Sequence, residues 1–185
     1  MVNRPWYPNI HQVYIDKCRE GDQKAHFEIY RLYYKSMYNT SLRIVRDPQE
    51  AEDIMQESFL SAFRKIKMYS GNVSFGAWLR KIVINNSLDA LKKKRVIMEE
   101  LEDNIKELTP AEEEPDEDLT AVRIDEIRNA IESLPDGYRI VLSLHLLEGY
   151  DHQEIAEILN ISSSTSRSQF TRARQKLLQL LKDKK

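Results

Sequence analysis

Apolar residues recur at three- and four-residue intervals along almost the whole chain. No stretch alternates apolar and polar positions as a half-buried strand would. The period predicts helices over residues 10–20, 23–45, 49–67, 74–94, 120–133, 137–148, 152–159 and 163–182. Local punctuation agrees with these limits. Asp47-Pro48 suits a helix start, because proline fits the first turn. Ser74 is placed to cap the helix that opens at Phe75. Asp151 and Glu154 have the spacing of a capping box.

Between the fourth and fifth helices the pattern changes. Residues 98–119 carry Pro110 and Pro115 and a dense run of like charges. Such a segment fits either an extended linker or an acidic surface helix, and the two prolines favour the linker. The predicted architecture is therefore all-α. Two helical domains, 1–97 and 120–185, are joined by an acidic linker, 98–119, and the second contains a helix-turn-helix.

On the third helix Met55, Phe59, Ala62, Phe63 and Ile66 share the face expected to be core. Asp53, Glu57, Leu60 and Arg64 share another, at spacings of four, three and four residues. A leucine set between carboxylates and a guanidinium fits an ordinary solvated face with one apolar residue. It fits equally a docking face for a basic, partly apolar protein surface.

The fourth helix places Phe75, Leu79, Ile82, Val83 and Ala90 on one side, with Trp78 at its edge and Asn86 among them. Phe75 reads as core, and Asn86 as a hydrogen-bonded core residue. Lys81, Asn85, Leu88 and Lys92 form a second stripe. Lysines that hold phosphate, an amide that reads a base edge and an indole that stacks on an unpaired base together suit single-stranded nucleic acid. Such stacking contributes ~1–3 kcal/mol per base. For Trp78 the core role and the stacking role are both open. The loop Tyr69-Ser70-Gly71-Asn72-Val73 precedes this helix and offers short polar groups around a flexible turn.

In the last 35 residues a short helix, a turn at Asn160 and a longer helix follow one another. This is the helix-turn-helix arrangement. Phe170, Ala173, Leu177 and Leu180 should pack inward. Arg167, Ser168, Thr171, Arg172 and Arg174 remain outside, where arginines and hydroxyls suit phosphate and major-groove contacts. An amphipathic hairpin that binds protein is the alternative, and cap, turn and basic outer face together favour DNA.

Charge sharpens the picture. The formal net charge of -2 argues at first against a nucleic-acid partner. Its distribution reverses that. From Arg64 to Arg95 the chain has nine bases against Asp89 alone, and from Glu99 to Asp118 eleven acids against Lys106 alone. A phosphate responds to the local field, not to the sum. Cys18 is the only cysteine, which excludes an intrachain disulfide and fits a reducing compartment. The opening residues MVNRPWYPNI hold no apolar run of signal-peptide length, and no segment has the apolar length of a membrane span. A cytoplasmic location is the expectation. His11, His26, His145 and His152 show no metal-ligand spacing, and there is no glycine-rich phosphate loop or nucleophile elbow. No enzyme activity, cofactor, metal or small-molecule substrate is expected.

In this order the blocks EAEDIMQESFLSAFRKI, SFGAWLRKIVINNSLDALKKKR and LPDGYRIVLSLHLLEGYDHQEIAEILNISSSTSRSQFTRARQKL resemble the small extracytoplasmic-function group of bacterial sigma factors. The resemblance covers nearly the whole chain. It implies that Asp53, Gln56, Glu57, Leu60 and Arg64 dock on core RNA polymerase. It implies that Tyr69, Ser70, Gly71 and Asn72 form the loop that captures a flipped base of the minus-ten element, with Arg80, Lys81 and Asn85 contacting the promoter beside it. Trp78 and Lys92 join that set from the residue reading. It implies that Arg167, Ser168, Thr171 and Arg172 read the minus-thirty-five element, with Arg174 on the same outer face. It also implies promoter DNA as ligand and an inhibitory anti-sigma factor, membrane-anchored or not, as a further partner. Two departures bear on the tilt and base preference of the recognition helix. Ser166 stands where the family usually has a buried valine, and Gln169 where a basic residue is common. A one-component helix-turn-helix regulator acting without polymerase is the rival reading, and the Asp53–Arg64 face is not what it predicts.

Overall fold

The computed structural model describes residues 11–101 and 124–182, with side chains over 11–94 and 126–182. All regular structure in these residues is helical. Backbone proximity divides the chain into two compact units, Met1–Arg95 and Val96–Lys185.

The first unit contains α1 (Gln12–Arg19), α2 (Gln23–Val45), α3 (Pro48–Arg64), a 3₁₀ turn (Ile66–Met68) and the start of α4 (Phe75–Leu101). Its helix limits have local causes. Asp22 accepts from the amides of Lys24 and Ala25 at 2.7 and 3.2 Å and opens α2. Arg46, at φ +64°, closes α2 through a bond from its amide to the Leu42 carbonyl. Asp47 then caps α3 through Gln49 and Glu50, both at 2.9 Å, with Pro48 in the first turn. The core joins Ile15 of α1, Ile29 and Met37 of α2, Met55 and Phe59 of α3, and Phe75, Leu79 and Val83 of α4.

Two polar ties hold α4 to its neighbours inside this unit. Asn86 Nδ2 donates to Ser58 Oγ on α3 at 2.9 Å, and Ser87 Oγ donates to Ser41 Oγ on α2 at 3.0 Å. Asn86 is thus the hydrogen-bonded core residue expected. Because α4 is tied to two helices, its buried arc is wider than a single stripe. Ile84 is fully buried and Leu88 is 6% exposed, so Leu88 leaves the outward stripe on which the helical wheel places it.

The helix expected over 49–67 ends at Arg64 and tightens into the 3₁₀ turn. α4 runs to Leu101, past the expected limit at residue 94 and into the stretch expected to be linker. Residues 95–101 contain no glycine or proline to stop it. Residues 102–123, including both prolines, lie outside the described residues.

The second unit contains α5 (Ile124–Glu132), α6 (Asp136–Leu146), α7 (His152–Leu159) and α8 (Ser163–Lys182). Leu134, Leu142 and Ala173 form its centre, with Ile131, Tyr138, Leu177 and Leu180 packed around them. Arg139 is buried too, at 1% exposure. Its guanidinium donates to Asp136 Oδ1 at 2.6 Å, so the charge enters the interior paired.

Candidate nucleic-acid interface

In the first unit α3 turns its apolar side inward and leaves Asp53, Gln56, Glu57, Leu60 and Arg64 exposed. Gln56 bonds along the helix to Glu52 Oε1 at 3.2 Å. Leu60 is 55% exposed, an apolar side chain standing among charges with nothing of its own unit over it. The five residues therefore share one open face, as the sequence spacing requires.

The loop after the 3₁₀ turn is built around Tyr69. Its ring packs edge-on against Phe75 at 5.5 Å and tilted against Trp78 at 5.3 Å. Its hydroxyl donates to the Val73 carbonyl at 2.6 Å, which closes the loop across four residues. Gly71, at φ +79°, makes the turn between them. Ser70 and Asn72 are exposed at the loop's surface. Tyr69 itself is 3% exposed. The resemblance places Tyr69 in the base-capturing loop, and the structure buries its ring against Phe75 and Trp78, with Ser70 and Asn72 exposed beside it.

Ser74 Oγ accepts from the Ala77 amide at 3.2 Å and starts α4. Trp78 is half-buried, so it packs on Tyr69 and keeps part of its indole open. Its packing on Tyr69 is the core role read from the sequence, and the exposed part of the ring is what a stacking role would use. Lys81, Asn85 and Lys92 are exposed on the outer face of α4, and Arg80 is half-buried at its margin. Lys94 reaches Glu50 at the start of α3, at 3.5 Å.

In the second unit the Asp151 capping box is complete. Asp151 accepts from Gln153 and Glu154 at 2.7 and 2.8 Å, and the Asp151 amide donates to Glu154 Oε2 at 2.8 Å. These amide donors, Glu154 first, hold the Asp151 carboxyl below the usual carboxylate range. Asn160, at φ +55°, ends α7, and Ser162 caps α8 through the Thr165 amide at 3.0 Å. Arg167, Ser168, Thr171, Arg172 and Arg174 are all exposed along α8. Ser168 and Thr171 donate back to the carbonyls of Ser164 and Arg167, at 2.7 and 3.0 Å, which leaves their oxygens free to accept.

Beneath α8 lies a cluster not singled out in the sequence. His145 and His152 stack at 4.5 Å, and Phe170 meets both edge-on, at 4.6 and 5.5 Å. His145 Nδ1 donates to the Tyr150 carbonyl at 2.8 Å, because a carbonyl can only accept. His152 Nδ1 pairs with Ser166 Oγ at 2.9 Å. Burial first, and then the charges of His145 and Arg167, hold His152 below the ordinary histidine value, against the pull of Asp151. The unusual Ser166 is thus buried and partnered. Gln169 is half-buried with its Oε1 beside Gly137 of α6, turned toward its own unit. Among the described residues no three His, Cys, Asp or Glu side chains converge as metal ligands, and no helix is long and apolar enough to cross a membrane.

The family model for Sigma-70 region 2 matches residues 29–96, and that for Sigma-70 region 4 matches residues 124–177. The chain is 30% identical to the ECF RNA polymerase sigma factor SigW of Bacillus subtilis over 178 residues, 91% of this chain and 95% of that one. It is 32% identical to the ECF RNA polymerase sigma factor SigM of the same organism over 157 residues, 81% of this chain and 91% of that one. Among solved structures, the sigma factor RpoE of Bartonella quintana, in complex with the anti-sigma factor NepR, superposes with a TM-score of 0.59. Its identity is 21% over 84% of this chain and 95% of that one, a likeness of fold.

Proposed function

The chain belongs to the sigma-70 family of RNA polymerase sigma factors, in its extracytoplasmic-function group, and from that premise we propose how its two units divide the work of initiation. It is an alternative sigma factor that directs promoter-specific transcription initiation. The polymerisation chemistry is assigned to core RNA polymerase, and the chain itself contributes binding and DNA opening. We assign residues 1–97 to polymerase docking and the minus-ten element, 98–119 to an acidic connection, and 120–185 to the minus-thirty-five element.

On the α3 face, Leu60 is the apolar centre. Asp53, Glu57 and Arg64 supply charges that steer and orient, while Gln56 adds an amide. Burying Leu60 against a partner adds apolar contact that solvent now denies it. On the loop and α4, Lys81 and Lys92 hold phosphates of the opening strand and Arg80 supports them from its margin. Asn85 addresses a base edge, and the open part of the Trp78 indole stacks where a pair is lost. Ser70, Gly71 and Asn72 receive the extruded base, on a loop that Tyr69 keeps closed. On α8, Arg167, Arg172 and Arg174 meet phosphates and guanine edges in the duplex major groove, and the Ser168 and Thr171 oxygens accept from bases or bridging water. An anti-sigma protein that holds the chain inactive is a further proposed partner.

The observation that carries this reading is the open α3 face around Leu60, in the same unit as the basic face of α4. A regulator that acted on duplex DNA alone has no need of the first. The test is purified chain with core RNA polymerase on a library of promoter fragments, with Asp53→Arg/Glu57→Arg as control. Specific transcripts that vanish in the control support the reading. Tight duplex binding without transcripts would replace it with a one-component regulator.

A further inference from the structure

Arg19 lies at the end of α1, fifty residues before the loop it touches. Its Nη2 donates to the Tyr69 carbonyl at 2.7 Å, and its Cζ stands 5.9 Å from the centroid of the Tyr69 ring. Its Nη1 is held by Asp16 Oδ1 at 2.9 Å, one turn earlier on α1. The guanidinium fork is therefore fixed at one nitrogen by a carboxylate while another nitrogen serves the loop, a use that a lysine point charge cannot reproduce in full. Tyr69 is then restrained at three places: its carbonyl by Arg19, its ring by Phe75 and Trp78, and its hydroxyl by the Val73 carbonyl.

We propose that Arg19 is a positioning residue for promoter selectivity: through the Tyr69 carbonyl it sets the entry to the 70–73 loop and so decides how closely that loop fits the base it receives. The inference rests on the assignment of this loop to the minus-ten element. The physical argument concerns where the loop's freedom lies. Gly71 permits many backbone angles, and Ser70 and Asn72 are exposed. A loop of that composition discriminates between bases only if both ends are pinned. Tyr69 and Val73 pin each other through the phenol, and the Tyr69 ring rests on Phe75 and Trp78 of α4, so these contacts hold the side chain and the loop's span. The bond from α1 is the restraint on the backbone itself, because it ties the peptide carbonyl entering the 70–73 loop to a different helix. Its charge makes it one of the stronger hydrogen bonds available to a backbone carbonyl.

The test uses the full chain with core RNA polymerase and a promoter library randomised in both elements, reading transcripts by sequence. Arg19→Met keeps the aliphatic stem and removes every donor. Arg19→Lys keeps a positive charge with its donors on a single nitrogen, and Asn72→Ala alters the loop directly. Arg19→Met is expected to flatten base preference at a minus-ten position by about three- to tenfold, the scale of a lost charged hydrogen bond felt only in part by the bound base. Preference in the minus-thirty-five element is expected to stay unchanged. Arg19→Lys should restore part of the lost selectivity, which a purely structural role for the stem would not produce. Unchanged minus-ten preference in Arg19→Met, beside altered preference in Asn72→Ala, overturns the inference and leaves the loop assignment standing. No change in either variant overturns the loop assignment and the inference with it. An even loss of transcription across the library in Arg19→Met, with no recovery in Arg19→Lys, also overturns it, because Arg19 would then only support folding.

Discussion

Ser166 Oγ and His152 Nδ1 lie 2.9 Å apart, so the fully buried hydroxyl of α8 is tied to the first residue of α7. The bond joins the two helices of the helix-turn-helix through a buried polar contact. It fixes their crossing by direction as well as by shape. Ser166→Ala removes the partner and leaves a half-buried imidazole nitrogen to find water. The expected cost is about 1–2 kcal/mol in the second unit. Hydrogen exchange on the full chain should show faster opening of α7 and α8 with α1–α3 unaffected.

His152 also makes the second unit sensitive to acid. His152 in the folded chain sits below its ordinary value of 6.5, chiefly through burial and then through His145 and Arg167. The unfolded chain therefore takes up this proton first as pH falls. The stabilisation from neutral His152 is complete above the unfolded value and declines as pH drops through it toward the folded one. Protection of α7 and α8 amides, compared between pH 7.5 and 5.5, should fall in the native chain. It should fall less in His152→Gln, which has no proton to gain.

Leu60 separates a docking face from an ordinary solvated one. Because it is already 55% exposed, Leu60→Ala should alter stability by less than about 0.5 kcal/mol. If the α3 face docks, affinity for core RNA polymerase should fall about tenfold, the scale of a buried leucine removed from an interface. Competition against a labelled sigma factor measures it, with thermal unfolding run alongside.

Asn86 and Ser58 test the polar tie between α4 and α3. Ser58 Oγ accepts from Asn86 Nδ2 and donates to the Ile54 carbonyl at 2.7 Å. Ser58→Ala strands the amide and should cost about 1–3 kcal/mol. Ser58→Ala/Asn86→Leu removes both partners and should recover most of that loss. Chemical denaturation of the four chains in the cycle gives the coupling directly.

Helix existence and most helix limits were legible because their causes are local. Asp151 caps from within three residues, Asn160 turns the chain at positive φ, and Pro48 sits in a first turn. The α3 face was legible for the same reason, since a fixed helical period settles which side chains share a side. The period says less about how much of a helix is covered. Leu88 looked outward on the wheel and is buried, because α4 is tied to both α2 and α3.

By itself, then, the sequence determined the order of helices, the two basic outer stripes, the acidic stretch between them and the family they resemble. All of these depend on residues that are neighbours in the chain or one helical turn apart. Only the tertiary structure decided that the Tyr69 ring is buried against Phe75 and Trp78, that Arg19 reaches its carbonyl from α1, and that Ser166 is answered by His152. The last two contacts join residues 50 and 14 positions apart. Their energy comes from directional hydrogen bonds formed in places that solvent leaves, and no local pattern encodes which distant partner will stand there.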